Sequence, residues 1–157
     1  LDLKNYHKNS HIKSLGPEPL SKKFHFNYFK KFTKNKKRNI KSILMDQKFI
    51  AGLGNIYVNE ILFLSKVHPR RAVKNLKNFE IKKIIKITKK ILTYSIKSGG
   101  SSIKDFSSID GIKGFFQEKF NVYGKSGSIC SNTDCNKKII RLVISNRASF
   151  YCSDCQK

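Results

Sequence analysis

The chain has 157 residues, enough for one medium domain or two small ones. Its 33 Lys and Arg against 10 Asp and Glu give a formal charge of +23, which favours polyanions: nucleic acid first, an anionic membrane surface second. No apolar run reaches the roughly 20 residues that a membrane-spanning helix needs, and no h-region marks a secretion signal, which sets those two classes aside. Charge alone is weak support, because Lys, Asn and Ile dominate throughout, as AU-rich codons dictate. Leu1 opens the sequence and Met45 is its one methionine, so an upstream part is expected to be missing.

Residues 1–14 are polar, with Leu1, Leu3 and Tyr6 as sparse apolar points. They read as the last strand of an absent domain or as a linker, with His7 and His11 as solvated polar residues. Leu15-Gly-Pro-Glu-Pro-Leu20 is a rigid turn, because each proline fixes its own φ and restricts the residue before it. A domain boundary is expected here, with a helical domain over 15–121. Ser21 is suited to cap a helix running to about Lys34, whose buried stripe is Phe24, Tyr28, Phe29 and Phe32. Asn35-Lys-Lys-Arg-Asn39 follows as a basic connector. It is either a solvated face or a phosphate contact through Lys37 or Arg38.

The centre of the chain is Ile50-Ala-Gly-Leu-Gly-Asn55. Ile40, Ile43 and Leu44 recur at helical spacing before it, and Ile56 to Phe63 is a second helix, apolar on most sides. Gly52 and Gly54 permit a tight turn and close backbone approach, and Asn55 is a good N-cap for the second helix. The helix would then present bare N–H groups to an anion such as phosphate. An ordinary turn with an ordinary cap is the equal alternative. After His68-Pro-Arg-Arg71, with His68 as a polar cap or packing residue, Asn78 caps a long helix with Glu80 in its first turn. Ile81, Ile84, Ile85, Thr88, Ile91, Leu92 and Ser95 form its inner face, the lysines between them are solvated, and Gly99-Gly100 stops it. A short helix over Ser101–Phe106 follows. Ser107–Gly114 reads as a mobile loop, and Phe115–Phe120 leads into a packing segment, Asn121–Lys125.

All four cysteines fall in the last 28 residues: Cys130 and Cys135, then Cys152 and Cys155 after sixteen intervening positions. Two close pairs across a short β-hairpin suit one tetrahedral Zn²⁺. So short a tail has little core, so metal binding would be coupled to folding. Two disulfides or four free thiols are the alternative, and disulfides fit poorly without a secretion signal. Between the pairs Ile140, Leu142 and Ile144 alternate with Arg141, Val143 and Ser145 in a strand. Asn146–Ser149 makes the turn, and Phe150-Tyr151 returns to the metal. Arg147 at the tip is a probe for phosphate or a base edge, or simply a solvated arginine.

Taken together these stretches closely resemble the formamidopyrimidine-DNA glycosylase family, bacterial enzymes that remove oxidised purines. The matching segments are Leu15–Leu20, Leu44–Glu60, His68-Pro69, Gly99–Phe106, Val122–Gly124, Asn146–Cys152 and Cys155–Lys157. Endonuclease VIII shares the glycine turn and the finger but fits less well at Leu15–Leu20 and Tyr123-Gly124. The resemblance implies a mainly α helix–two-turn–helix domain followed by a small antiparallel β zinc finger over 122–157. It implies Zn²⁺ on Cys130, Cys135, Cys152 and Cys155. It implies DNA contacts from Lys37, Gly54, Asn55 and Arg147, with Arg147 also the proton donor of a δ-elimination step. Ser108–Gly114 matches the lid over an extruded base, with Lys113 near it, although Gly111-Ile-Lys-Gly114 departs from the commoner Gly-Lys-Pro-Gly order.

The implied partner is double-stranded DNA carrying an oxidised purine or an abasic site. The implied protein is a monomer, cytoplasmic, bacterial and without membrane contact. In this family an N-terminal proline is the nucleophile, a glutamate beside it the acid, and an upstream lysine assists β-elimination. Leu1 and Asp2 stand where this sequence opens. The chain alone is therefore expected to bind DNA weakly and salt-dependently, with no glycosylase activity. The alternatives are a catalytically dead nucleic-acid binder or an RNA-binding zinc ribbon, as at the end of isoleucyl-tRNA synthetase. A structural protein of ribosomal type is a third class.

Overall fold

The computed structural model describes residues 10–98 and 120–157. The expectations for His7, the side chain of His11, the Gly99-Gly100 stop, the Ser101–Phe106 helix, and the Ser107–Gly114 loop with Lys113 lie outside the described residues. The elements in order are α1 (Ser10–Lys13), α2 (Phe26–Thr33), α3 (Ile40–Leu44), α4 (Asn55–Ser65), a 3₁₀ turn (Val73–Asn75), α5 (Asn78–Lys97), β1 (Ile140–Ile144) and β2 (Arg147–Tyr151). The class is the expected one: a helical body with a two-stranded antiparallel finger. α1 is one helical turn in a stretch expected to be strand or linker.

Helix α2 begins four residues later than a cap at Ser21 suggests. The Ser21 hydroxyl and amide both donate to the Glu18 carbonyl, at 2.8 and 3.1 Å, and so close a turn behind Pro19. His25 takes the cap instead, its Nδ1 accepting from the Tyr28 amide at 3.3 Å. Phe24 still packs inside, from a non-helical position. It and Phe29 meet the ring of Phe49 edge-on at 5.9 and 5.0 Å, and Tyr28 stacks on the same ring at 5.8 Å. Phe49 is thus the hub of the aromatic cluster.

Asn39 caps α3 through Oδ1, which accepts from the Ser42 amide at 2.8 Å. All five α3 residues are buried, Lys41 among them. The chain then turns through Gly52, whose φ of +81° is left-handed and favours glycine. Gly54, extended, is the N-cap of α4. Asn55 is therefore the first helical residue and not the cap, which frees its side chain for other partners. The side chain of Gln47 brackets the turn: it accepts from the Gly52 amide at 2.7 Å and donates to the Leu53 carbonyl at 3.2 Å.

Helix α4 is buried over Val58–Phe63 and packs against α3, α5 and β2. In α5 the cap is the backbone of Lys77, whose amide donates to Glu80 at 2.7 Å; Asn78 sits in the first helical position. Its buried face, Ile81, Ile84, Thr88, Ile91 and Ser95, follows the expected 3.6 spacing. Two apolar clusters result among the described residues. One fills the helical body, and the other joins Phe63 and Val122 to Ile139, Phe150 and the cysteines.

The hairpin turn is Ser145-Asn146, both at positive φ (48° and 58°), as a two-residue turn between antiparallel strands requires. Arg147 is accordingly the first residue of β2, paired with Ile144, rather than part of the turn. Of the alternating Ile140, Leu142 and Ile144, only Ile144 is buried.

Candidate nucleic-acid interface and metal centre

The finger hairpin is fastened to the glycine-turn region by polar side chains. Asn55 Nδ2 donates to the Ala148 carbonyl at 3.0 Å. Lys41 Nζ donates to the same carbonyl at 2.8 Å and also to the Ser149 hydroxyl. The Ser42 and Ser145 hydroxyls meet at 2.9 Å. Asn59, one turn along α4 and 1 % exposed, ties both sides: its Nδ2 donates to the Asn55 carbonyl and its Oδ1 accepts from the Phe150 amide, each at 2.7 Å. Of these, Lys41, Ser42, Asn59 and Ser149 are buried, and each has its hydrogen bonds made, which is what makes them tolerable inside.

A second fastening enters through Glu60, 2 % exposed. Its carboxylate accepts from the amides of Asn121, Val122 and Tyr123 and from Asn121 Nδ2, all at 2.8–2.9 Å. The segment entering the finger is thereby pinned to α4. At the other end Gln156 donates to the Val67 carbonyl at 2.9 Å and accepts from the Cys152 amide at 3.0 Å. His68, expected to cap or pack, does both: Nδ1 accepts from the Arg70 amide at 3.1 Å, and its ring meets Tyr151 edge-on at 4.6 Å.

Over this joint lies an open cavity of about 430 Å³, lined by Arg38, Lys41, Gln47, Ser145 and Arg147 among others. Arg147 is exposed at its rim. Burial, and then the neighbouring Arg147 charge, pull the Lys41 ammonium down to about 8. Arg38 is a strut: it donates to Asp46 at 2.7 Å and to the Ser42 carbonyl at 3.0 Å. Burial alone would raise the Asp46 carboxyl, but the Arg38 bond and charge, with the Lys48 amide, hold it below its ordinary value. Lys37 is exposed on the adjoining connector. Gly54 faces open space, with nothing within 4 Å of where a Cβ would stand. The Asn55–Ala148 bond sets the Gly54-Asn55 start of α4 beside the strand that begins at Arg147, and Lys113 lies outside the described residues.

The four cysteine Sγ atoms all lie within 4.8 Å of one another. Cys130 and Cys155 are 3.8 Å apart, Cys135 and Cys152 3.6 Å. A tetrahedron with Zn–S of about 2.3 Å has edges of about 3.8 Å, whereas a disulfide is about 2.05 Å. The spacing fits a tetrahedral metal and not two disulfides. Burial first, and the Cys152 and Cys155 thiols after it, push the Cys130 thiol up to about 12. Sulfurs crowded in this way are stabilised as thiolates by a divalent cation.

The sequence singles out the glycine turn, Asn55, Arg147 and the cysteines, but not Lys41, Asn59, Glu60 and Gln47, which form the joint beside them. The available signal was a polar residue inside an apolar helical run: Lys41 within Ile40–Leu44, and Asn59-Glu60 within Ile56–Phe63.

Fold and site together define a helix–two-turn–helix module braced by a four-cysteine finger. Residues 15–107 match the family model described as the formamidopyrimidine-DNA glycosylase H2TH domain, and the chain belongs to that family. It is 43% identical over 143 residues to the formamidopyrimidine-DNA glycosylase of Roseobacter denitrificans, covering 91% of this chain and 50% of that protein. It is 43% identical over 148 residues to that of Zymomonas mobilis, covering 94% and 54%. Among solved structures, the MutM (Fpg) protein of Thermus thermophilus superposes with a TM-score of 0.89 at 34% identity, over 97% of this chain and 57% of that one. Lactococcus lactis Fpg in complex with DNA containing an abasic site gives 0.90 at 34% identity, over 100% and 57%. The chain thus spans about half the length of the curated relatives it matches.

Proposed function

We propose that this chain is the DNA-holding half of a bifunctional glycosylase and AP lyase. The whole enzyme excises oxidised purines from duplex DNA and cleaves the abasic strand. The observation that carries the reading is the direct bond from Asn55 to the Ala148 carbonyl at 3.0 Å, which sets the start of α4 and the Arg147 strand side by side. A base in a duplex must be extruded before it can be attacked, at a cost of a few kcal/mol. Two phosphate clamps on one rigid face offset that cost. In this reading the Gly54-Asn55 end of α4 takes one phosphate. Arg147 takes those flanking the extruded nucleotide, and Lys37 the backbone beyond. Arg147 also gives the proton of the δ-elimination step in the whole enzyme, and Lys113 lies near the extruded base.

Cys130, Cys135, Cys152 and Cys155 would hold Zn²⁺, which supplies a structural cross-link and no step of the reaction. The partner is double-stranded DNA with an oxidised purine or abasic site, bound by a monomer in the bacterial cytoplasm. No helix among the described residues is long and apolar enough to cross a membrane. The nucleophile comes from a catalytic half outside these 157 residues, so the chain alone is proposed to bind without excising. Anisotropy titrations of the zinc-loaded chain with an abasic-analogue duplex, an undamaged duplex and an RNA hairpin test the reading. It predicts preference for the abasic duplex, weakening with salt, and no cleavage of an oxidised-guanine duplex. Equal binding to RNA contradicts it, as does excision at an enzyme's rate.

A further inference from the structure

Four residues separate Cys130 from Cys135, against two between Cys152 and Cys155. The longer knuckle is anchored to the helical body. Ser131 Oγ donates to Asn121 Oδ1 at 3.0 Å, and Asn121 Nδ2 donates to the Glu60 carboxylate of α4 at 2.9 Å. The knuckle also closes on itself, the Cys135 amide donating to the Asn132 carbonyl at 3.0 Å. Asn132 is thereby held over the sulfur cluster, and its Nδ2 donates to Cys155 Sγ at 3.4 Å. A thiolate accepts from the amide nitrogen and would repel the amide oxygen, so the side chain acts here as a donor.

The four sulfurs are not served alike. Backbone amides bond three of them: Asn132 bonds Cys130, Lys137 bonds Cys135, and Asp154 and Cys155 bond Cys152. Cys155 takes the Asn132 side chain, and of the four cysteines it is the half-buried one. It lines a cavity of about 200 Å³ together with Leu64, Lys66 and Asn132. An N–H on a thiolate draws charge from the sulfur and so lowers its nucleophilicity.

We propose that Asn132 is a positioning residue of the metal centre, which keeps the Cys155 sulfur on the metal and slows its attack on soft electrophiles entering the adjacent cavity. This rests on the tetrahedral-metal reading of the four cysteines. The reaction it slows is a displacement. A lone pair of the Cys155 sulfur bonds the methylene carbon of iodoacetamide, the carbon–iodine bond breaks, and iodide leaves. The resulting thioether carries no charge and is a poor ligand, so the metal departs.

Zinc content of the parent chain is measured first, with one equivalent per chain expected. Iodoacetamide is then added beside a chromophoric zinc chelator, which reports metal release, and mass spectrometry of digests identifies the cysteine modified first. The parent is compared with Asn132→Ala and with Ser131→Ala, which removes the bond to Asn121 and leaves the donor to Cys155 in place. Asn132→Ala is expected to release zinc at least about fivefold faster, with Cys155 modified first, and to bind zinc about tenfold more weakly; Ser131→Ala is expected to stay within about twofold of the parent. In the parent loaded with spin-active cadmium, the Asn132 side-chain amide protons are expected to couple to the metal across the sulfur, which reads the bond without any variant. A parent that holds no zinc overturns the metal reading and this role with it. A parent that holds zinc while Asn132→Ala matches it, or matches Ser131→Ala, overturns the role of Asn132 alone. First modification at another cysteine, or no coupling from Asn132 to cadmium, overturns it too.

Discussion

Replacing Asn59 by Ala removes the clasp between helix α4 and the finger. The side chain is 1 % exposed and makes two 2.7 Å hydrogen bonds, from its Nδ2 to the Asn55 carbonyl and from the Phe150 amide to its Oδ1. Truncation leaves the Phe150 amide buried and unpaired, which costs about 1–3 kcal/mol. With the second bond also lost, the total is about 2–4 kcal/mol. For a chain of this size each kcal/mol lowers the midpoint by about 2–4 °C, so Tm is expected to fall by about 5–15 °C. Thermal denaturation of the zinc-loaded chain measures this, and amide exchange at Phe150 localises it. Asn59→Asp is the internal comparison. It keeps the acceptor for Phe150 but sets a carboxylate against the Asn55 carbonyl, so it should retain Phe150 protection while weakening DNA binding. A Tm for Asn59→Ala within about 2 °C of the parent, with the Phe150 amide still protected, would refute the reasoning.

Three further expectations follow from the same geometry. Lys41 titrates near 8 when folded and near 10.5 when unfolded, so between those values the unfolded chain binds more protons and stability rises with pH. DNA affinity should fall through the same region as the cavity loses a charge, and Lys41→Arg should flatten both profiles; profiles unchanged in the variant would count against it. Gly16→Ala would place a Cβ 2.4 Å from the Phe49 carbonyl oxygen and should destabilise by more than about 3 kcal/mol, whereas Gly54→Ala, in open space at negative φ, should leave Tm nearly unchanged yet weaken DNA binding; denaturant melts and DNA titrations separate the two. Stripping zinc with a chelator should abolish finger protection at Ile139 and weaken DNA binding, reversibly on adding one equivalent of Zn²⁺; unchanged exchange would oppose a structural metal.

What could be read from the sequence was local. Ile40, Ile43 and Leu44, the two glycines, the α5 face and the cysteine spacing each act within a few residues, and each appears where expected. Helix starts were misplaced where another bond won. Ser21 is held by Glu18, and Asn55 and Asn78 sit one position inside caps formed by Gly54 and Lys77. The joint itself was illegible, because its partners are remote: Lys41 reaches Ala148 across 107 positions, Asn59 reaches Phe150 across 91, and Glu60 reaches Asn121 across 61. No periodicity encodes such pairs. They leave only an oddly polar residue in an apolar helix.

The most direct measurement is a double-mutant cycle on the affinity of the zinc-loaded chain for an abasic-analogue duplex, using Asn55→Ala and Arg147→Ala. If the start of α4 and the β2 strand grip the duplex as one unit, each single variant weakens binding, and the pair departs from additivity by at least about 0.5 kcal/mol. Losses that add to within about 0.3 kcal/mol, or single variants that bind as well as the parent, would contradict it.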